Sequence, residues 1–310
     1  MEHISSHPLY RKHNIDSAMS SLWEFYKKRF LSLFIISFVM SLVIQYASTM
    51  ANFKELQTIT DPLLLLEKIK GFVVPILIIS LINLLFTTIL QHYIIYNPID
   101  SENNIVAAAI RSMRYFIPYL IILVLLAFAG SIAIVLGLLA LIIGVFFSIL
   151  YLMTLYLFIL PILMVEGTNI GNVISRTFTL AHRNFWSNIG WVAVFIIILV
   201  VLSVIFSAII LIPFSGSFIK TIINPENVSE LLDFATNPVF IILSALAGAL
   251  TMPLMPIFAC ILYFNGRAAE EQSQTITDYS PENDKVRVED LYAKPLLEEN
   301  GETTENPDMK

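Results

Sequence analysis

Apolar residues run along this chain in blocks far longer than a soluble core helix needs, and polar residues collect in the gaps. Between Phe116 and Val165, fifty residues contain no Asp, Glu, Lys, Arg or His. A membrane-spanning helix takes about 20 apolar residues, so this block predicts two spans joined by a tight turn. The turn is placed around Gly137, at a surface where unpaired backbone can be solvated. With the other apolar blocks the total is six spans: 30–50, 72–96, 116–136, 139–164, 185–212 and 238–264. The expected fold is all-α, a polytopic membrane helix bundle between a polar lead (1–29) and a tail (265–310). The first apolar run, beginning near Phe30, is long enough to stay in the membrane as a signal anchor.

A second pattern lies in the gaps. Three polar segments open with Asn-Ile and continue with apolar residues at helical spacing on one face. The first has Asn14-Ile15, then Ala18, Met19, Leu22 and Tyr26. The second has Asn104-Ile105, then Ala108, Ala109, Ser112 and Phe116. The third has Asn169-Ile170, then Val173, Ile174, Thr177 and Ala181. Basic residues line the opposite faces: Lys27 and Lys28, Arg111 and Arg114, Arg176 and Arg183. Two spans follow each segment, which predicts three repeats of an amphipathic interfacial helix plus two spans, each helix lying on lipid with its bases near the phosphates. On the other side of the bundle, Asp61-Pro62 and Asn224-Pro225-Glu226 read as starts of short helices, Leu231, Leu232 and Phe234 as residues resting on the bilayer, and Asn237-Pro238 as the start of the last span.

Charge adds orientation. Fourteen of the 18 Lys and Arg flank the spans on the side of the two ends, so both termini are expected in the cytoplasm. The net charge of -6 is concentrated in residues 265–310, where twelve acids face five bases. Such a tail is expected to be disordered, unsuited to nucleic acid, and available from about 270 to 310 for a soluble protein partner.

Candidate chemistry is sparse. Cys260 is the one cysteine and reads as a small packing residue. His3, His7 and His13 read as solvated residues of the lead rather than a metal site, and no cofactor or metal is expected. Asn83, Thr87 and Gln91 form a polar stripe on the second span, which either bonds to another helix or lines a cavity. Pro253 and Pro256 must bend the sixth span and open space beside it. Glu166 stands where the fourth span ends. It serves either as a charge near a helix start or in an ion pair with Arg176, Arg183 or Arg267.

These last residues carry a resemblance. Pro161-Ile-Leu-Met-Val-Glu166-Gly167, then Asn172-Val-Ile-Ser175-Arg176, then Phe185-Trp186 and Gly190, resemble a pattern in uncharacterised bacterial six-span proteins. Those proteins are similar to the membrane domain of some glycerophosphoryl diester phosphodiesterases. The resemblance covers about 160–270 and implies a six-span inner-membrane protein. In that group the last span tends to end in Tyr, Asp and Arg, whereas here it reads Tyr263-Phe264-Asn265-Gly266-Arg267. The soluble catalytic barrel of two-part members has no counterpart in the 46 residues after Phe264, so hydrolysis is not expected.

The function expected is that of a non-enzymatic membrane protein that organises or senses lipid or envelope state by binding anionic lipid through its basic helices. Two alternatives stand beside it. One is a transporter or lipid-translocating protein whose pocket is lined by Asn83, Thr87, Gln91, Pro253 and Pro256. The other is an accessory subunit that docks a partner by its acidic tail.

Overall fold

Six helices long and apolar enough to cross a membrane make up the body of the computed structural model, which describes residues 4–49, 62–100, 102–216 and 237–278. The helices are α1 (Ile15–Lys28), α2 (Phe30–Ser48), α3 (Pro62–Tyr96), α4 (Ile105–Leu139), α5 (Leu141–Val165), α6 (Ile170–Arg183), α7 (Phe185–Leu211), α8 (Pro238–Thr251) and α9 (Leu254–Asp278). No strand occurs among the described residues. Residues 1–269 form one compact unit; of the second, 270–310, the described residues 270–278 are helical. His3, Asp61, Asn224-Pro225-Glu226, Leu231, Leu232, Phe234 and the tail beyond Asp278 lie outside the described residues.

The Asn-Ile pairs start helices for a physical reason. The first amides of a helix lack intrahelical partners, and an Asn side chain just before the helix can accept one of them. Asn14, Asn104 and Asn169 do so, taking the amides of Ser17, Ala107 and Asn172 at 2.8, 2.9 and 3.1 Å. Asn237 caps α8 in the same way, with Pro238 in the first turn.

The three segments then diverge. Arg29 and Asn184 leave helical geometry (φ -115° and -127°) and separate α1 from α2 and α6 from α7. Nothing interrupts the ladder at Arg114-Tyr115-Phe116, so the second segment runs straight into its span as one 35-residue helix. Their apolar faces pack on protein rather than on lipid. Ala18, Leu22, Ala108, Val173, Leu180 and Ala181 are each 2% exposed or less. The chain reverses at Gly167, whose φ of +120° suits glycine. α6 then folds back along α5, bringing Tyr151 to His182 and Phe147 to Phe185. A bundle surface offers this face closer packing than lipid tails do.

Two span boundaries also shift. The α4–α5 turn falls at Ala140-Leu141, with Leu141 at φ 59°, not at Gly137. Gly137 lies inside α4, where it faces Gly144 of α5 at close range. The sixth span is split into α8 and α9 at Met252-Pro253, because Pro253 lacks an N–H and its ring obstructs the preceding turn. α9 also continues past Phe264 to Asp278, since Arg267-Ala-Ala-Glu-Glu-Gln are good helix formers.

Neighbouring spans close a ring in the order α2, α3, α4, α5, α7, α8 and back to α2. At the α2–α8 seam the helices touch through Gly248, where a Cβ would meet Ser41 Oγ. Burial divides the bundle into two zones. Ile257 to Phe264 of α9, Leu157 to Met164 of α5 and Thr88 to Ile95 of α3 are covered on all sides. By contrast, α3 from Val73 to Leu81, α4 from Val124 to Leu139, α5 from Leu141 to Ile149 and α7 beyond Ile197 present large apolar side chains outward. The second zone has the surface of a membrane body; the first is a protein core made of equally apolar helices.

Candidate functional site

The break in the sixth span opens a cavity of about 490 Å³. Thr251, Met252, Met255 and Pro256 supply its wall at the break. Asn83, Thr87 and Leu90 come from α3, Met153 and Tyr156 from α5, and Leu199 and Ser203 from α7. The cavity sits where the outward-facing and covered zones meet. Asn83 and Ser203 are exposed, whereas Leu90 and Pro256 are buried. Its hydroxyls are partly satisfied at home, as lipid-facing threonines must be: Thr87 Oγ1 donates to Asn83 O at 2.9 Å and Thr251 Oγ1 to Ala247 O at 3.1 Å. The volume falls within the 300–1,000 Å³ typical of ligand pockets. Three methionines make the wall deformable.

The structure divides the expected pocket residues. Asn83, Thr87 and Pro256 line the cavity. Gln91 lies below it in a cleft of about 10 Å³, at the lower limit for one water. Its amide is spent on α9, donating to Pro256 O at 3.3 Å and reaching Cys260 Sγ at 2.9 Å. Pro253 causes the break but is not among the lining residues. Tyr156 and Ser203 were not singled out from sequence; a lone hydroxyl in an apolar run is a faint signal that many packing residues share.

A second centre gathers around Glu166, the residue that ends α5. Arg176 Nε donates to both carboxylate oxygens at 2.9 and 3.2 Å, Tyr263 O–H donates at 3.0 Å, and Arg267 Nη1 lies at 3.5 Å. The three charged side chains are only 18–23% exposed. This centre ties α5, α6 and α9 together. Arg183 Nη2 lies 3.5 Å from Ala269 O.

The six bases expected at lipid headgroups do not form one site. Arg176 is held by Glu166. Arg111 pairs with Asp100 at 3.1 Å on the surface. Arg114 lies over the Tyr115 ring and donates to its hydroxyl. Lys27 and Lys28 are exposed on α1.

The lead is folded, which corrects the expectation of solvated histidines. His7 is 3% exposed and His13 6%. His7 Nδ1 accepts the Leu9 amide at 3.1 Å, so Nε2 carries the proton and donates to Ile94 O at 3.2 Å. Its ring packs between Phe25 and Phe264. Asn265 accepts the His13 amide at 2.8 Å. Aromatic and amide partners were available on α9, and the sequence pattern does not reveal such pairing across the chain.

Burial, with the nearby Arg29 charge, lowers the His7 pKa from 6.5 to about 4. His13 is lowered too, chiefly by burial. The unfolded chain therefore takes up these protons at higher pH than the folded one. Stability is fully present above pH 6.5 and falls as pH drops toward 4. The thermal midpoint of the detergent-solubilised protein is expected to fall between pH 7.5 and 5. His7→Gln, which keeps an N–H for Ile94, should flatten that fall; an equal fall in both proteins would show that His7 is not its source.

No protein-family model, curated protein or solved structure matches the chain. Among the described residues, no three His, Cys, Asp or Glu side chains come together as metal ligands would.

Proposed function

We propose that this multi-pass membrane protein is a non-enzymatic, lipid-handling protein of the bacterial inner membrane, its termini cytoplasmic, that takes an amphipathic molecule into its bundle. The observation that carries this reading is the 490 Å³ cavity at the broken sixth span. Asn83, Tyr156 and Ser203 offer hydrogen bonds to a polar part. Leu90, Leu199 and the methionines offer an apolar bed to a chain. The cavity opens beside the outward-facing apolar zone, so a ligand can enter from lipid without crossing water. Orientation rests on the bias of Lys and Arg toward the two ends. The cavity, not the family resemblance, supports the reading. It also outweighs headgroup binding by Arg111, Arg114 and Arg176, since those side chains already have protein partners.

Native mass spectrometry of protein extracted with its surrounding lipid tests this. One amphipathic molecule should stay bound at fixed stoichiometry, and Ser203→Trp, which fills the cavity, should remove most of it. Retention unaffected by Ser203→Trp, or a protein that flies bare, would sink the reading.

A further inference from the structure

A separate hollow of about 160 Å³ lies where the folded lead meets the start of α2. Pro8, Leu9 and Arg11 form one wall; Ser21, Glu24, Phe25, Lys28 and Arg29 form the other. Three cations thus share a small space with one carboxylate. Arg11 Nη2 donates to Ser21 Oγ at 2.6 Å, and Arg29 donates to Asn97 Oδ1 with its guanidinium over the Phe25 ring. These partners are neutral and leave most guanidinium N–H groups unused. Among the described residues, the ion pairs of the protein involve none of Arg11, Lys28 and Arg29.

We infer that this hollow is a binding site for a phosphate ester, held by Arg11, Lys28 and Arg29. Three cations against one carboxylate leave the hollow with an excess of positive charge that favours an anion, and a phosphate with several acceptor oxygens suits forked guanidinium donors. The space is many times the about 10–15 Å³ that admits one water, room for a phosphate with a small alcohol attached. Its position points the same way. Arg29 immediately precedes the span, and Phe30 and Leu31, 40% and 69% exposed, begin the outward apolar stripe of α2. A phosphate in the hollow would have its acyl chains, if it had any, beside that stripe. The bound group is either a lipid headgroup or a free phosphate ester. The residues are not those of the cavity, so the site stands or falls independently of the lipid-handling reading.

The test uses delipidated, detergent-solubilised full-length protein titrated with phosphatidylglycerol, phosphatidylcholine and glycerol 3-phosphate, with binding read by native mass spectrometry. R11Q/K28Q removes two cations of the hollow and spares Arg29, which also holds Asn97. K12Q/K27Q removes the same charge from exposed positions outside it. Phosphatidylglycerol binding should weaken roughly 30-fold in R11Q/K28Q and change little in K12Q/K27Q. If glycerol 3-phosphate also binds, competes with the lipid and shows the same dependence, the ligand is a free phosphate ester; if it does not, the ligand is a lipid headgroup. Equal losses in the two double variants, or none in either, overturn the inference. A footprint on the unmodified protein serves if R11Q/K28Q does not fold. Whichever of the two ligands binds should shield the Lys28 amine from acylation while Lys12 stays reactive, and equal reactivity of both lysines with and without ligand overturns the site.

Discussion

Glu166→Gln is expected to destabilise the protein by about 2–3 kcal/mol. The substitution keeps the shape of the side chain and removes only its charge, leaving Arg176 and Arg267 turned toward each other without a carboxylate between them. Both arginines are about four-fifths covered, so water can compensate them only in part. The contrast is Asp100→Asn, which breaks the Arg111 pair. There the side chains are 49% and 42% exposed, and the loss should stay below about 1 kcal/mol. Thermal unfolding in detergent distinguishes the two. A double-mutant cycle with Arg267→Met then assigns the share of that arginine. If Glu166→Gln melts no earlier than Asp100→Asn, solvent is carrying the charges and the centre does not tie α5, α6 and α9 together.

Gly144→Ala should destabilise although helix propensity favours the change. Alanine is better than glycine in a helix by about 1 kcal/mol, and at Gly190, where a Cβ would meet nothing within 4 Å, that gain should appear. At Gly144 the added Cβ would collide with Gly137 O and lie 2.7 Å from Ala140 Cβ. A backbone carbonyl cannot swing aside as a side chain can, so the α4–α5 hairpin must open. Overpacking of this kind costs about 1–3 kcal/mol. Opposite shifts of the thermal midpoint, down for Gly144→Ala and up or unchanged for Gly190→Ala, are the expected result. A rise in both would mean that the two helices are not in close contact at their turn.

Much of the fold could be read from single residues whose chemistry has few uses. The Asn-Ile pairs at 14, 104 and 169 marked helix starts because an amide side chain can take a first-turn N–H, and each does. Pro253 marked the break because it has no N–H to give. Asn83 and Thr87, one turn apart, marked one wall of the cavity. The division of the bundle into two zones was not legible, because leucine and isoleucine suit lipid and protein core alike. Leu157 to Met164 and Leu141 to Ile149 are equally apolar on α5, yet only the first is covered. The α4–α5 turn was expected, but it was placed about three residues early for a related reason. Gly137 drew attention as a flexible residue, but glycine also permits close helix contact, and the positive φ falls on a leucine.

The fold of the lead bears on how the protein is made. The His13 amide finds its acceptor on Asn265, 252 residues further along the chain, and the ring of His7 rests on Phe264. Synthesis proceeds from the N-terminus at about 5–20 residues per second. The first histidines therefore wait many seconds before the helix that shelters them has emerged and been inserted. The covered core closes as a late event, sealed by α9, the last of the described helices, and the lead's burial reports that α9 has been inserted.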